Sequence, residues 1–130
     1  IIINGPHDSP TLTINSLASD QIIIKNLTIR NVVSDVDEKS TSIRVLGGQP
    51  QIEGCIFDKS YFGIVIDGES APIVMNNAFI GSKRGVILND SAGGLFKNNS
   101  YQIGGAYDIQ NDSLGNPIFE EPSGTNISHH

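Results

Sequence analysis

IEGCIFDKSYFGIVIDGES (residues 52–70), VMNNAFIGSKRGVILNDSA (residues 74–92) and FKNNSYQIGGAYDIQNDS (residues 96–113) align with one another at a period of 22 residues. A period in the range of 20 to 50 residues is the mark of a stacked repeat, because each unit buries its apolar face only against the next. Working outward, IKNLTIRN (residues 24–31) and SIRVLGG (residues 42–48) fit the same frame with a longer loop between their halves, and PTLTINS with the opening IIING forms a partial coil before them. Within the frame, Ile24, Ile52, Val74 and Phe96 fall in one column, and Ile29, Phe57, Phe79 and Tyr101 in a second. The later half of each coil gives Leu12, Ile43, Ile64, Val86 and Tyr107, then Ile14, Val45, Ile66, Leu88 and Ile109. Period-two alternation makes these four columns the expected core and turns the residues between them outward. At the corner, Asn26, Gly54, Asn76 and Asn98 suit a left-handed backbone and a stacked amide ladder. Asn77 and Asn99 are the alternative inward members, one residue on. Cys55 aligns with them and with Leu27, so it reads as a buried, inert thiol.

Composition supports the same architecture. The chain has 20 Ile against 7 Leu and 5 Ala, a bias toward β-branched side chains that pack on pleated surfaces. The expectation is an all-β solenoid of about five coils over residues 1–122, followed by a tail at residues 123–130 whose closing histidines read as a purification-tag remnant. The opening Ile1, Ile2 and Ile3 read as the interior of a longer solenoid with further coils before them. A formal charge of −6 speaks against nucleic acid as a partner, since phosphate neutralisation needs a basic stripe. No apolar run approaches the roughly 18 to 20 residues of a membrane span. A left-handed hexapeptide helix would show an aliphatic residue every sixth position, and an antiparallel sandwich would show regular hairpin signals; neither pattern is present.

NLTIRN and MNNAFIGS, with the columns around them, resemble the pectin-lyase-like superfamily of right-handed parallel β-helices, particularly its carbohydrate-binding and sugar-hydrolase coils. The resemblance spans nearly the whole chain. It implies three strands per coil, a substrate groove on the outer face of the strand after the long variable turn, and a polysaccharide-facing role outside the cytoplasm, in the extracellular space or the cell envelope. The fold hosts lyases, hydrolases, epimerases and structural modules alike, so activity has to come from specific side chains.

On that groove face the outward residues are expected to be Thr13, Arg44, Val65, Ile87 and Asp108. Arg44 and Asp108 would stand three coils apart, too far for a paired hydrolase site. At the far end of the strand, Asp67, Asn89 and Asp90, with Glu69 and Asp112 in the next turn, are the nearest approach to a catalytic or cation-binding set, which makes Asp67, Asp90, Arg44 and Asp108 the catalytic candidates. Asp35, Asp37 and Glu38, in the insertion at residues 31–41, are the candidate Ca²⁺ ligands, although no EF-hand pattern surrounds them. His7 stands in a GPHDSP loop and reads as solvent-facing. On the opposite lip, Lys59, Lys83 and Arg84 beside Tyr61 and Phe62 combine cations with aromatic rings, as an acidic sugar requires. The reading that follows is a secreted or cell-surface module that binds polysaccharide. The alternatives are a fragment of a polysaccharide lyase, hydrolase or epimerase, or a structural segment of a tailspike or surface layer. Val65 and Ile87 form an outward aliphatic strip, to be covered by the insertion or, through self-association, by a second molecule.

Overall fold

The computed structural model describes residues 1–5, 9–31 and 40–129. His7, the loop carrying Asp35, Asp37 and Glu38, and His130 therefore lie outside the described residues, as does the loop expected to cover Val65 and Ile87.

Each coil contributes three short strands. The first holds β1 (Ile2–Gly5), β2 (Pro10–Asn15) and β3 (Ile23–Lys25), and the second β4 (Thr28–Asn31), β5 (Thr41–Gly47) and β6 (Gln51–Glu53). The third holds β7 (Ile56–Asp58), β8 (Phe62–Ile66) and β9 (Ile73–Met75), and the fourth β10 (Ala78–Ile80), β11 (Arg84–Leu88) and β12 (Leu95–Lys97). The fifth holds β13 (Ser100–Gln102), β14 (Ile109–Asn111) and β15 (Ile118–Glu120), and β16 (Ile127–Ser128) begins one more turn. Like strands stack into three parallel sheets: a first of β1, β4, β7, β10 and β13; a second of β2, β5, β8, β11, β14 and β16; and a third of β3, β6, β9, β12 and β15. The segment expected to be a tail thus adds a strand to the second sheet, Ile109 pairing with Ile127.

Stacking in register turns a one-dimensional repeat into a core. The first-sheet column of Ile29, Phe57, Phe79 and Tyr101 and the third-sheet column of Ile24, Ile52, Val74 and Phe96 form as the alignment anticipates. Phe57, Phe79 and Tyr101 lie as a pile of rings with centroids 4.9 and 5.0 Å apart. That repeat is the strand spacing itself, and burial of each such side chain contributes about 1.5–3 kcal/mol.

In the second sheet the fifth coil departs from expectation. Val86 pairs with Ile109 and Leu88 with Asn111, where Tyr107 and Ile109 were expected. The first corner of this coil is one residue longer than its counterpart in the fourth coil, whereas the alignment had made it one shorter. The resulting two-residue shift preserves the inside-outside alternation, which is why periodicity alone could not detect it. Tyr107 is exposed in consequence, and Gln110, not Asp108, stands beside Ile87.

Between the third and first sheets, Asn26, Gly54, Asn76 and Asn98 adopt positive φ, as expected of the corner column. The buried ladder belongs to the next residue. The Cys55 amide donates to Asn77 Oδ1 at 2.9 Å, and the Asn77 amide donates to Asn99 Oδ1 at 3.0 Å. Glu121 takes the following place and accepts from the Asn99 amide at 2.9 Å, from Asn99 Nδ2, and from the Tyr101 hydroxyl. Burial raises the Cys55 thiol pKa, in keeping with an inert side chain. Between the first and second sheets a buried polar seam replaces apolar packing: Ser60 donates to Asn31 Oδ1 at 2.8 Å and shares a hydrogen bond with Ser42.

Candidate functional site

A cleft opens on that first-to-second corner because of how the backbone enters the second sheet. Lys83 N and Arg84 N both point at Tyr61 O, at 2.9 and 3.3 Å, and Gly85 N and Val86 N both donate to Asp108 O, at 2.9 and 3.1 Å. Two amides on one carbonyl mark a β-bulge, which re-aims side chains at the start of a strand. Gly85 faces inward, where a Cβ would meet the Tyr101 ring at 2.6 Å, and Arg84 is thrown outward. In the preceding coil Gly63 likewise faces inward, against the Phe79 ring.

The cleft, about 480 Å³, is lined by Tyr61, Phe62, Lys83, Arg84, residues 104–106 and Gln110. Four of the five residues expected to bind a sugar are therefore brought together. Lys59 lies on the neighbouring lip, in a left-handed turn stacked on Gly81. Tyr61 and Phe62 meet edge to face at 4.8 Å. Arg84 is held at three points: Nε donates to Gln110 Oε1 at 2.9 Å, Nη1 donates to the Lys83 carbonyl at 2.8 Å, and the guanidinium lies 5.6 Å from the centre of the Tyr107 ring. Gly105 allows this, since any side chain there would collide with the Lys83 carbonyl and the Arg84 guanidinium. No lining side chain among the described residues is acidic, on a chain with 14 carboxylate residues. Sequence reasoning missed Gln110, Tyr107 and the wall at residues 104–106. They depend on the length of one corner, and the Gly104–Gly105 pair was the available signal.

The acidic candidates go elsewhere. Asp67 accepts from Arg44 Nε at 2.8 Å and from Asn89 Nδ2 at 2.9 Å, so both its oxygens are engaged. Asp90, at positive φ, accepts the Gly68 amide at 2.8 Å, and Asp112 accepts from Gln110 at 2.7 Å. Asp108 leaves the outward row because of the register of the fifth coil, and its carboxylate accepts the Asn126 amide at 2.9 Å. Ile87 is buried and Val65, beside Arg44, is half-buried, so the aliphatic strip expected there is largely covered by the chain's own described residues. Among the described residues no group of three or more His, Cys, Asp or Glu side chains could hold a metal.

Three parallel sheets on a 22-residue period have a counterpart in known sequences: residues 12–127 match the family described as Right handed beta helix region. The chain belongs to that family. No curated protein and no solved structure matches it. In this right-handed β-helix the cleft therefore lies on the corner leading into the second sheet, with Arg84 and Gln110 on its floor and Tyr61 and Phe62 one coil earlier.

Proposed function

We propose that this β-helix is a carbohydrate-binding module of a secreted or cell-surface protein, and that its corner cleft holds an acidic polysaccharide without cleaving it. The observation that carries the reading is a cleft with two cations, two aromatic rings and no carboxylate in its lining, on an otherwise acidic chain. Rings offer a face for the C–H side of a sugar, and a fixed guanidinium matches a carboxylate by paired N–H donation. With Nε and Nη1 already committed, Arg84 stays oriented, which lowers the entropy lost on binding. Asp67 and Asp90, the nearest carboxylates to a catalytic pair, are occupied in holding Arg44, Asn89 and the Gly68 amide, which favours binding over hydrolysis.

Calorimetric titration with polyuronide oligosaccharides, against neutral glucans of equal length, tests this. Binding should be confined to the polyuronides and weaken with salt, and Lys83→Ala or Tyr61→Ala should each weaken it about tenfold. Equal binding of neutral glucans, or none of either, would overturn the acidic-sugar reading. Depolymerisation of the polyuronide would overturn the non-catalytic half.

A further inference from the structure

The outer face of the third sheet carries two columns, one residue of each on every strand. The first reads Ile23, Gln51, Ile73, Leu95 and Ile118 from coil one to coil five, and the second Lys25, Glu53, Met75, Lys97 and Glu120. The first column is mostly aliphatic and poorly covered: Ile23 is 61% exposed, Ile118 59% and Ile73 36%. In the turns leading onto this face, Leu17 of coil one is 70% exposed and Leu114 of coil five 76%. These four end residues are among the most exposed large apolar side chains of the protein. They sit at opposite ends of one face.

The second column reads plus, minus, neutral, plus, minus. A two-fold axis parallel to the strands and passing over β9 would lay a second copy on this face with its solenoid axis reversed, so that coil one meets coil five and coil two meets coil four. Lys25 would then face the partner's Glu120, and Glu53 the partner's Lys97. Met75 is the one member of the column that would face its own copy, and it is the one member without a charge. A charge there would meet its like. The same operation sets Ile23 over the partner's Ile118, Ile73 over the partner's Ile73, and Leu17 over the partner's Leu114. The other in-plane two-fold, along the solenoid axis, would instead lay the aliphatic column on the charged one.

Neighbouring Lys and Glu residues within one chain could also account for alternating charge, since opposite signs on adjacent strands attract. That pairing is not made: among the described residues Lys25, Lys97 and Glu120 form no ion pair, whereas Arg30 and Arg44 pair with Asp58 and Asp67. Nor does in-chain pairing call for a neutral residue at the middle coil or for apolar exposure concentrated at both ends.

We infer that the third sheet is the interface of an isologous, antiparallel homodimer. A self-complementary patch is what two-fold symmetry requires of such a contact. Face-to-face sheets pack about 10 Å apart, a gap that opposed Lys and Glu side chains span. Five strands at about 4.8 Å and the flanking turns make a face of roughly 20 by 20 Å, which is small by the standard of specific interfaces, so association is weak and concentration-dependent.

Sedimentation equilibrium over about 10 μM to 1 mM tests it, with circular dichroism confirming that each outward-facing variant folds. The wild-type chain should pass from monomer to dimer within that range. Glu53→Lys and Lys97→Glu should each raise the dimer dissociation constant about tenfold, and the two together should restore it to within about threefold. Lys25→Glu and Glu120→Lys should behave in the same way as an independent pair. A monomer at every concentration, a charge swap no better than its single variants, or a dimer lost through Val65→Ser and Ile87→Ser but indifferent to third-sheet variants would each overturn the assignment.

Discussion

Tyr101 ends the pile of rings that begins at Phe57, and its hydroxyl is committed to Glu121. Burial, reinforced by the Glu121 carboxylate, holds the phenol far above its ordinary value of 10.0. The unfolded phenol releases its proton near that value, whereas the folded one keeps it. Above about pH 10 the native state therefore binds more protons than the unfolded state, and stability falls as pH rises; below it this contribution is constant. Urea unfolding from pH 8 to 11 should show this alkaline loss, and Tyr101→Phe should flatten it. An unchanged slope in the variant would mean that other groups cause the loss. Asp67, Asp90 and Asp108 show the complementary point at this scale: a carboxylate in a solenoid turn finds backbone amides and neighbouring side chains to serve, and composition does not distinguish that use from catalysis.

At the scale of the element, the bulge opening β11 couples core to cleft. Gly85 admits the Tyr101 ring from inside while its neighbour Arg84 is aimed outward. Gly85→Ala must displace a ring or open the bulge, and it should destabilise by about 1–3 kcal/mol in urea unfolding, whereas Gly104→Ala, which would touch nothing within 4 Å, should be close to neutral. Strand identity and the first- and third-sheet columns were legible because alternation and a 22-residue period constrain them jointly. The second-sheet register of the fifth coil was not, since a turn one residue longer than its counterpart and a turn one residue shorter give the same inside-outside parity. The same hidden residue concealed Gln110 and Tyr107 while leaving Tyr61, Phe62, Lys83 and Arg84 readable, because those four lie on coils of regular length. The ladder was legible as a choice between adjacent asparagines, and only burial decides for Asn77 and Asn99.

At the scale of the whole molecule, every coil touches only its neighbours, so stability is a sum over coils and junctions. The ladder gives that sum a direction. Each inward corner amide donates to the side chain of the coil that follows it, from Cys55 to Asn77, Asn77 to Asn99 and Asn99 to Glu121. Glu121→Ala should therefore speed hydrogen exchange most at the Asn99 amide, less at Asn77 and least at Cys55; equal acceleration at all three would mean that the coils open together. The same direction sets a timetable for synthesis. A ribosome delivers residue 55 before residue 77, and at about 5–20 residues per second the next acceptor arrives about one to four seconds later. Each of these three corner amides thus keeps its bond to water until the following coil has been translated, and the nascent ladder closes one coil behind its own growing end.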